Sequence, residues 1–243
     1  MRRFFTDPSN VGDKYIIIDD KEDIKHIVKV LRLGLGDVIN ISDGEIWEYE
    51  AKINGISDDE ISFLIMDKQH FATEPSVEIT LYQGVPKAGK MELIIQKSVE
   101  LGITAVVPLM MDRTVVNDNG KFKKKIERWQ KISAEAVKQC KRGIIPKVYE
   151  QMDFNDMCKQ INEYDLVIFP YENAKGYTIK DLLKSSKPKK IAVIIGPEGG
   201  FSDREAKKLT DMGIQGVSLG KSILRTETAG IVAVSMILYE YEL

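Results

Sequence analysis

The pattern of apolar and polar residues changes character near residue 72. Before it, short runs alternate with the two-residue period of half-buried strands: Lys14–Ile18, Asp37–Ser42, Ile46–Ile53 and Glu60–Asp67. Turn signals separate them at Asp43-Gly44 and around Gly55–Asp59. Asp20–Leu33 instead carries Ile24, Ile27, Val28 and Leu31 at helical spacing. One helix among several short strands predicts a small barrel over residues 1–72, and His70–Ser76, with Pro75, reads as a linker.

From residue 73 to 243 strands and helices alternate. The predicted strands are Val77–Tyr82, Ala105–Leu109, Asp165–Phe169, Ile191–Ile195 and Gly216–Leu219. Helical patterns occupy Lys90–Leu101, Lys123–Arg142, Ile179–Lys184, Ser202–Met212 and Thr226–Glu240. This rhythm predicts an α/β domain with a parallel sheet covered by helices on both faces. Ser202-Asp-Arg-Glu205 is a capping box that starts a helix, and Gly213 ends it. Thr226 reads as the N-cap of the last helix, with Glu227 in its first turn.

In such folds ligands bind beyond the carboxyl ends of the strands. Two Gly-rich stretches lie there: IIGPEGGFSDRE from Ile194 to Glu205, and LGKSILRTETAG from Leu219 to Gly230. Glycine lets a ligand approach the backbone closely, so the pair predicts a cofactor cleft made largely of main chain. Gly220-Lys221-Ser222 suggests a phosphate-binding P-loop, but that motif needs glycine where this chain has Gln215. No dinucleotide fingerprint follows a predicted strand, and no nucleophile-elbow serine motif is present.

Composition narrows the choices. Two histidines and two cysteines without ligand spacing argue against a metal centre. The expectation is a cytoplasmic protein with reduced thiols, no signal peptide and no membrane span. The net charge of −2 conceals an asymmetry: residues 1–72 carry a balance of −6 and residues 73–243 one of +4. Segment 121–142 alone holds 9 basic and 2 acidic residues. On a helical projection Lys124, Arg128, Lys131, Lys138 and Arg142, with Glu135 among them, fall opposite Ile126, Trp129, Ile132, Ala136, Val137 and Cys140. That basic stripe reads either as a solvated face or as an RNA-facing one.

GPEGGFSDRE and LGKSILRTETA resemble the signature loops of the bacterial small-subunit (16S) ribosomal RNA uracil-N3 methyltransferases, of the SPOUT class. Further blocks are similar in order: MRRFF; His26 with Val30-Leu31-Arg32 and Gly36-Asp37; Lys87 and Lys90–Lys97 through Glu100-Leu-Gly102; and Arg128-Trp129, Glu135-Ala136, Gln139 and Arg142–Pro146. The resemblance implies an N-terminal PUA-like RNA-binding barrel and a C-terminal domain with a deep trefoil knot. It implies a homodimer that moves a methyl group from S-adenosyl-L-methionine to N3 of a uridine, in 16S ribosomal RNA or the assembled small subunit. No metal and no membrane are implied. The alternatives are a SPOUT enzyme acting on tRNA or on a ribose 2′-hydroxyl, or a non-catalytic RNA-binding assembly factor.

By the same resemblance Glu198, Arg225 and Arg113 are the candidate catalytic residues. Glu198 is the candidate base, or else a helix-start acid. Arg225 would stabilise negative charge or meet phosphate, and Arg113 would hold the target nucleotide, across the dimer. The cofactor cradle would be Phe169, Pro170, Tyr171, Gly196, Pro197, Glu198, Gly199, Leu219, Gly220, Ile223 and Leu224. Ile223 and Leu224 would pack on the adenine, or else in the core. RNA contacts are expected from Arg2, Arg3, Arg32, Lys124, Arg128, Lys131, Gln139 and Arg142.

Overall fold

A computed structural model describes residues 3–70, 74–87, 89–116, 120, 122–184 and 187–242. Arg2 and residues 71–73 of the expected linker lie outside the described residues. The chain divides into two compact units, Met1–Glu74 with Val137–Ile145, and Pro75–Ala136 with Pro146–Leu243.

The first unit holds β1 (Arg3–Phe5), β2 (Tyr15–Ile18), α1 (Lys21–Lys25), β3 (Val38–Ser42), β4 (Trp47–Ile56) and β5 (Ile61–His70). They form a mixed sheet in the order β1-β3-β4-β5-β2, in which only the β1–β3 pair is parallel. The Thr6 hydroxyl donates to Ile17 O at 2.6 Å, so the edge strands meet through a side chain. Alternation buries Ile16, Ile18, Ile39, Ile41, Ile53, Ile61 and Phe63 in one core. The expected helix over Asp20–Leu33 is shorter: Asp20 caps it, and it widens into a π turn over His26–Val30. Arg32 follows, exposed and at φ +56°.

The same unit includes a distant piece of chain. The Glu74 carboxylate accepts hydrogen bonds from Arg142 Nε (3.1 Å) and Nη2 (2.6 Å) and from the N–H groups of Gly143 and Ile144. The buried Ser42 hydroxyl donates to Gly143 O at 2.7 Å, and Ile145 N–H to Gly44 O.

The second unit contains β6 (Glu78–Gly84), α2 (Lys90–Leu101), β7 (Ala105–Met110), α3 (Phe122–Cys140, to Ala136), β8 (Lys147–Val148), β9 (Met152–Asp153), α4 (Phe154–Gln160), β10 (Leu166–Pro170), α5 (Ile179–Leu183), β11 (Lys190–Ile195), α6 (Asp203–Asp211), β12 (Gly216–Val217) and α7 (Thr226–Glu242). All strand pairs are parallel, in the order β12-β10-β11-β6-β7-β8, with β9 also on β7. The register aligns Ile195 with Gln83, and Gly84 with Leu109, so the carboxyl ends of the central strands share one edge. Fully buried Ile79, Leu81, Val106, Ile168, Val193 and Ile194 explain why these strands read as continuous apolar runs.

Two local expectations are corrected. Arg142 lies outside the basic helical face: α3 ends at Cys140, Lys141 turns the chain at φ +62°, and Arg142 is buried on Glu74. Thr226 is the first residue of α7, not its cap; Arg225 O accepts the opening helical bonds from Thr228 and Ala229. Among the described residues no helix is long and apolar enough to cross a membrane.

Candidate functional site: a cleft between two glycine-rich loops

Beyond the carboxyl ends of β10, β11 and β12 lies a cleft of about 490 Å³, bounded by the start of α7. Its first wall follows β11. The loop turns through a Gly200 N–H to Pro197 O bond of 2.9 Å and crosses the end of β6. That crossing requires glycine below it: a Cβ on Gly84 would lie 2.5 Å from Pro197 N. The capping box then starts α6. Glu205 within it is fully buried, one carboxylate oxygen taking Ser202 N–H and the other Asp112 N–H, each at 2.9 Å. Asp112 accepts from Ser202 Oγ at 2.6 Å and pairs with Arg204, whose hydrogen bond foremost holds the carboxyl below its ordinary range.

The second wall follows β12. Gly220, at φ +153°, has open space where a Cβ would stand, which keeps the cleft clear beside the main chain. Ile223 is 85% exposed, so it is not a core residue; it lines the cleft with half-buried Leu224. The floor is fastened beneath. The Thr226 hydroxyl donates to Gly196 O at 2.6 Å, and Gln83 Nε2 donates to Thr226 Oγ1 at 2.8 Å. This buried chain joins β6, the first loop and α7.

The charged groups are distinct in their constraints. Glu198 accepts from Lys87 N–H at 3.0 and 3.3 Å and from Lys90 Nζ at 3.1 Å. Partial burial opposes its ionisation, but the hydrogen bonds from its own N–H, Lys90 and Lys87 outweigh this and hold the carboxyl below its ordinary range. Lys90 also lies 3.3 Å from Glu227 Oε2. Arg225 is exposed and lines the cleft. Arg113 is exposed outside the lining, its guanidinium donating to Gly199 O at 2.8 Å on the back of the first loop.

The fold thus gathers Pro170, Tyr171, Gly196, Pro197, Glu198, Gly199, Leu219, Gly220, Ile223, Leu224 and Arg225 around one cleft. Phe169 stands behind them, buried, stacked on Tyr171 at 5.2 Å and edge-on to Phe201 at 4.5 Å. Lys90, Glu172 and Thr226 also line the cleft and were not expected there. Lys90 fell within a matching block, while nothing in the pattern marked Glu172. Of the residues expected to meet RNA, Lys124, Arg128, Lys131 and Gln139 are exposed on α3, and Arg32 is exposed in the first unit. Arg3 is paired with Glu48 at 2.7 Å and bonded to Lys141 O. Among the described residues no cluster of His, Cys, Asp or Glu is placed to hold a metal ion.

Comparison with known proteins places the chain. The family described as RNA methyltransferase domain matches residues 73–238, and the one described as RNA methyltransferase PUA domain matches residues 18–66. The ribosomal RNA small subunit methyltransferase E of Bacillus subtilis is 35% identical over 228 residues, 91% of this chain and 89% of the relative. Its counterpart in Buchnera aphidicola is 33% identical over 241 residues, 96% and 91% of the two chains. The crystal structure of the Neisseria gonorrhoeae ribosomal RNA small subunit methyltransferase E bound to S-adenosyl methionine aligns with TM-score 0.84 at 27% identity, covering 99% of this chain and 98% of that one. The chain therefore belongs to the small-subunit ribosomal RNA methyltransferase E family.

Proposed function

We propose that the protein transfers the methyl group of S-adenosyl-L-methionine to N3 of a uridine in 16S ribosomal RNA, as a cytoplasmic homodimer. The observation that carries this reading is the meeting of the two glycine-rich loops at one cleft in a chain of this family. The cleft's size suits a small cofactor. Gly196–Gly199 and Leu219–Leu224 would hold it largely by main chain, with Pro170 and Tyr171 at the end of β10 and Ile223 against the adenine. Bound there, the cofactor supplies a methyl carbon on a cationic sulfonium, with a neutral thioether as leaving group.

The protein's own residues orient the uracil and carry the charge that develops on it. N3–H is weakly acidic, and negative charge grows on the flanking carbonyl oxygens as it is lost. Arg225, at the cleft and always cationic, stabilises that charge. The N3 proton passes to a base from solvent, because Glu198, with its oxygens engaged and its carboxyl held low, is poorly disposed to take it. Arg113, which lies outside the cleft of its own chain, holds the target nucleotide across the dimer. The exposed α3 residues Lys124, Arg128 and Lys131 meet RNA phosphate, and the first unit adds shape recognition. A dimer fits α7, where Tyr239 is 70% exposed and Ile231, Val232 and Met236 are part-exposed. A trefoil knot is expected where the second loop leaves edge strand β12 and α7 returns beneath β11 and β6.

Nucleoside mass mapping of small-subunit ribosomal RNA, with and without the protein, tests the reading. Loss of one N3-methyluridine on deletion, restored by the wild-type gene, is expected. An unchanged N3-methyluridine content would sink the substrate assignment.

A further inference from the structure

Lys90 stands against a local rule. It is the first residue of α2, at the positive end of the helix macrodipole, where acidic residues are favoured and cations are not. Gly89 before it provides no side-chain cap. The lysine lines the cofactor cleft, and its ammonium lies 3.1 Å from Glu198 and 3.3 Å from Glu227. Glu198 belongs to the first loop; Glu227 is the second residue of α7, just past the second loop. Lys87 N–H adds a second grip on Glu198 from the same segment. Glu227 Oε2 is buried and accepts no hydrogen bond among the described residues, so its contact with the Lys90 ammonium at 3.3 Å is an ion pair only.

We propose that Lys90 is a positioning residue: an ionic latch that draws Glu198 and Glu227 together and so sets the spacing of the two cofactor loops. The inference rests on the reading of the cleft as the S-adenosylmethionine site. The ammonium is held above the ordinary lysine range, foremost by the hydrogen bond to Glu198, so the latch stays charged at neutral pH. Remove it, and Glu198 loses its side-chain donor while the buried Glu227 oxygen loses its cation. The latch also gives Glu198 a task other than accepting the N3 proton.

The test is calorimetric titration of S-adenosylmethionine into the full-length protein and its variants, with folding checked by circular dichroism. Lys90→Met is expected to weaken binding about fivefold, the scale of one or two half-exposed ion pairs. Lys90→Arg should restore most of the loss. In a Glu198→Gln background the effect of Lys90→Met should shrink, because the two residues act through one contact. In turnover assays the Lys90→Met defect should fall on KM more than on kcat. Undiminished cofactor binding by a folded Lys90→Met protein, or full additivity with Glu198→Gln, would overturn the latch. Failure of the wild-type protein to bind the cofactor would instead overturn the reading on which the latch rests.

Discussion

Arg225, in the cleft, and Asp112, behind its first loop, show how differently two charged residues are bound to the protein around them. Arg225 faces the cleft with its guanidinium exposed, so its substitution disturbs little of the fold. Arg225→Ala should lower single-turnover methylation about a hundredfold, the scale of a lost anion-stabilising donor. Cofactor affinity by calorimetry should change far less, and wild-type turnover would remove Arg225 from the mechanism. Asp112 is held from several sides, by Arg204 and by the Ser202 hydroxyl. Its folded-state pKa is depressed, so the stability it lends is present above its unfolded value and lost as pH falls through the folded one. Asp112→Asn should therefore flatten the decline of urea midpoints as pH falls below about 5. A decline as steep as the wild type's would contradict this.

At the scale of elements, the crossing of the first loop over β6 depends on Gly84. Gly84→Ala places a methyl 2.5 Å from Pro197 N, against backbone that cannot yield as a side-chain tip would. A loss of about 1–3 kcal/mol in denaturant unfolding is expected, together with weakened cofactor binding. Stability equal to wild type would mean the loop can lift. The elements were legible where local chemistry decided them. The helix Lys90–Leu101 and the Ser202–Glu205 box follow from nearest-neighbour rules, and both stand as read. Thr226 was misread because its hydroxyl has a stronger claim outside the helix, at Gly196 O, a residue thirty positions earlier. Arg142 was misread because helical spacing continues on paper past Cys140, while Lys141 at φ +62° ends the helix and turns the arginine inward. The cleft between the two loops was legible because glycine at a strand end has few other uses. The Lys90–Glu198–Glu227 contacts were not, since ion pairs more than a hundred residues apart leave no spacing to detect.

At the scale of the whole molecule, the parallel sheet puts every loop of the cleft on one edge, and charge is set elsewhere. Residues 1–72 are acidic and supply little general attraction to RNA, so on the proposed function the exposed bases of α3 carry a large part of the electrostatic contribution. Reversing Lys124, Arg128 and Lys131 to glutamate should weaken binding to a ribosomal RNA fragment and reduce the slope of log affinity against log salt by about 2–3. Cofactor affinity should hold. An unchanged slope would move the RNA track off this helix.

The clasp of Glu74 on residues 142–144 has a consequence for how such proteins are put together. The N-terminal unit is not a detachable cassette, because the segment Gly143–Ile145 that is bonded to the end of β3 and to Gly44 is encoded some seventy residues downstream of its last sheet residue. A gene segment that stops in the seventies leaves the Ser42 hydroxyl without Gly143 O and the Gly44 carbonyl without its Ile145 N–H donor. Recombination at that point would deliver an unfinished RNA-binding unit and a methyltransferase unit carrying an orphaned strap.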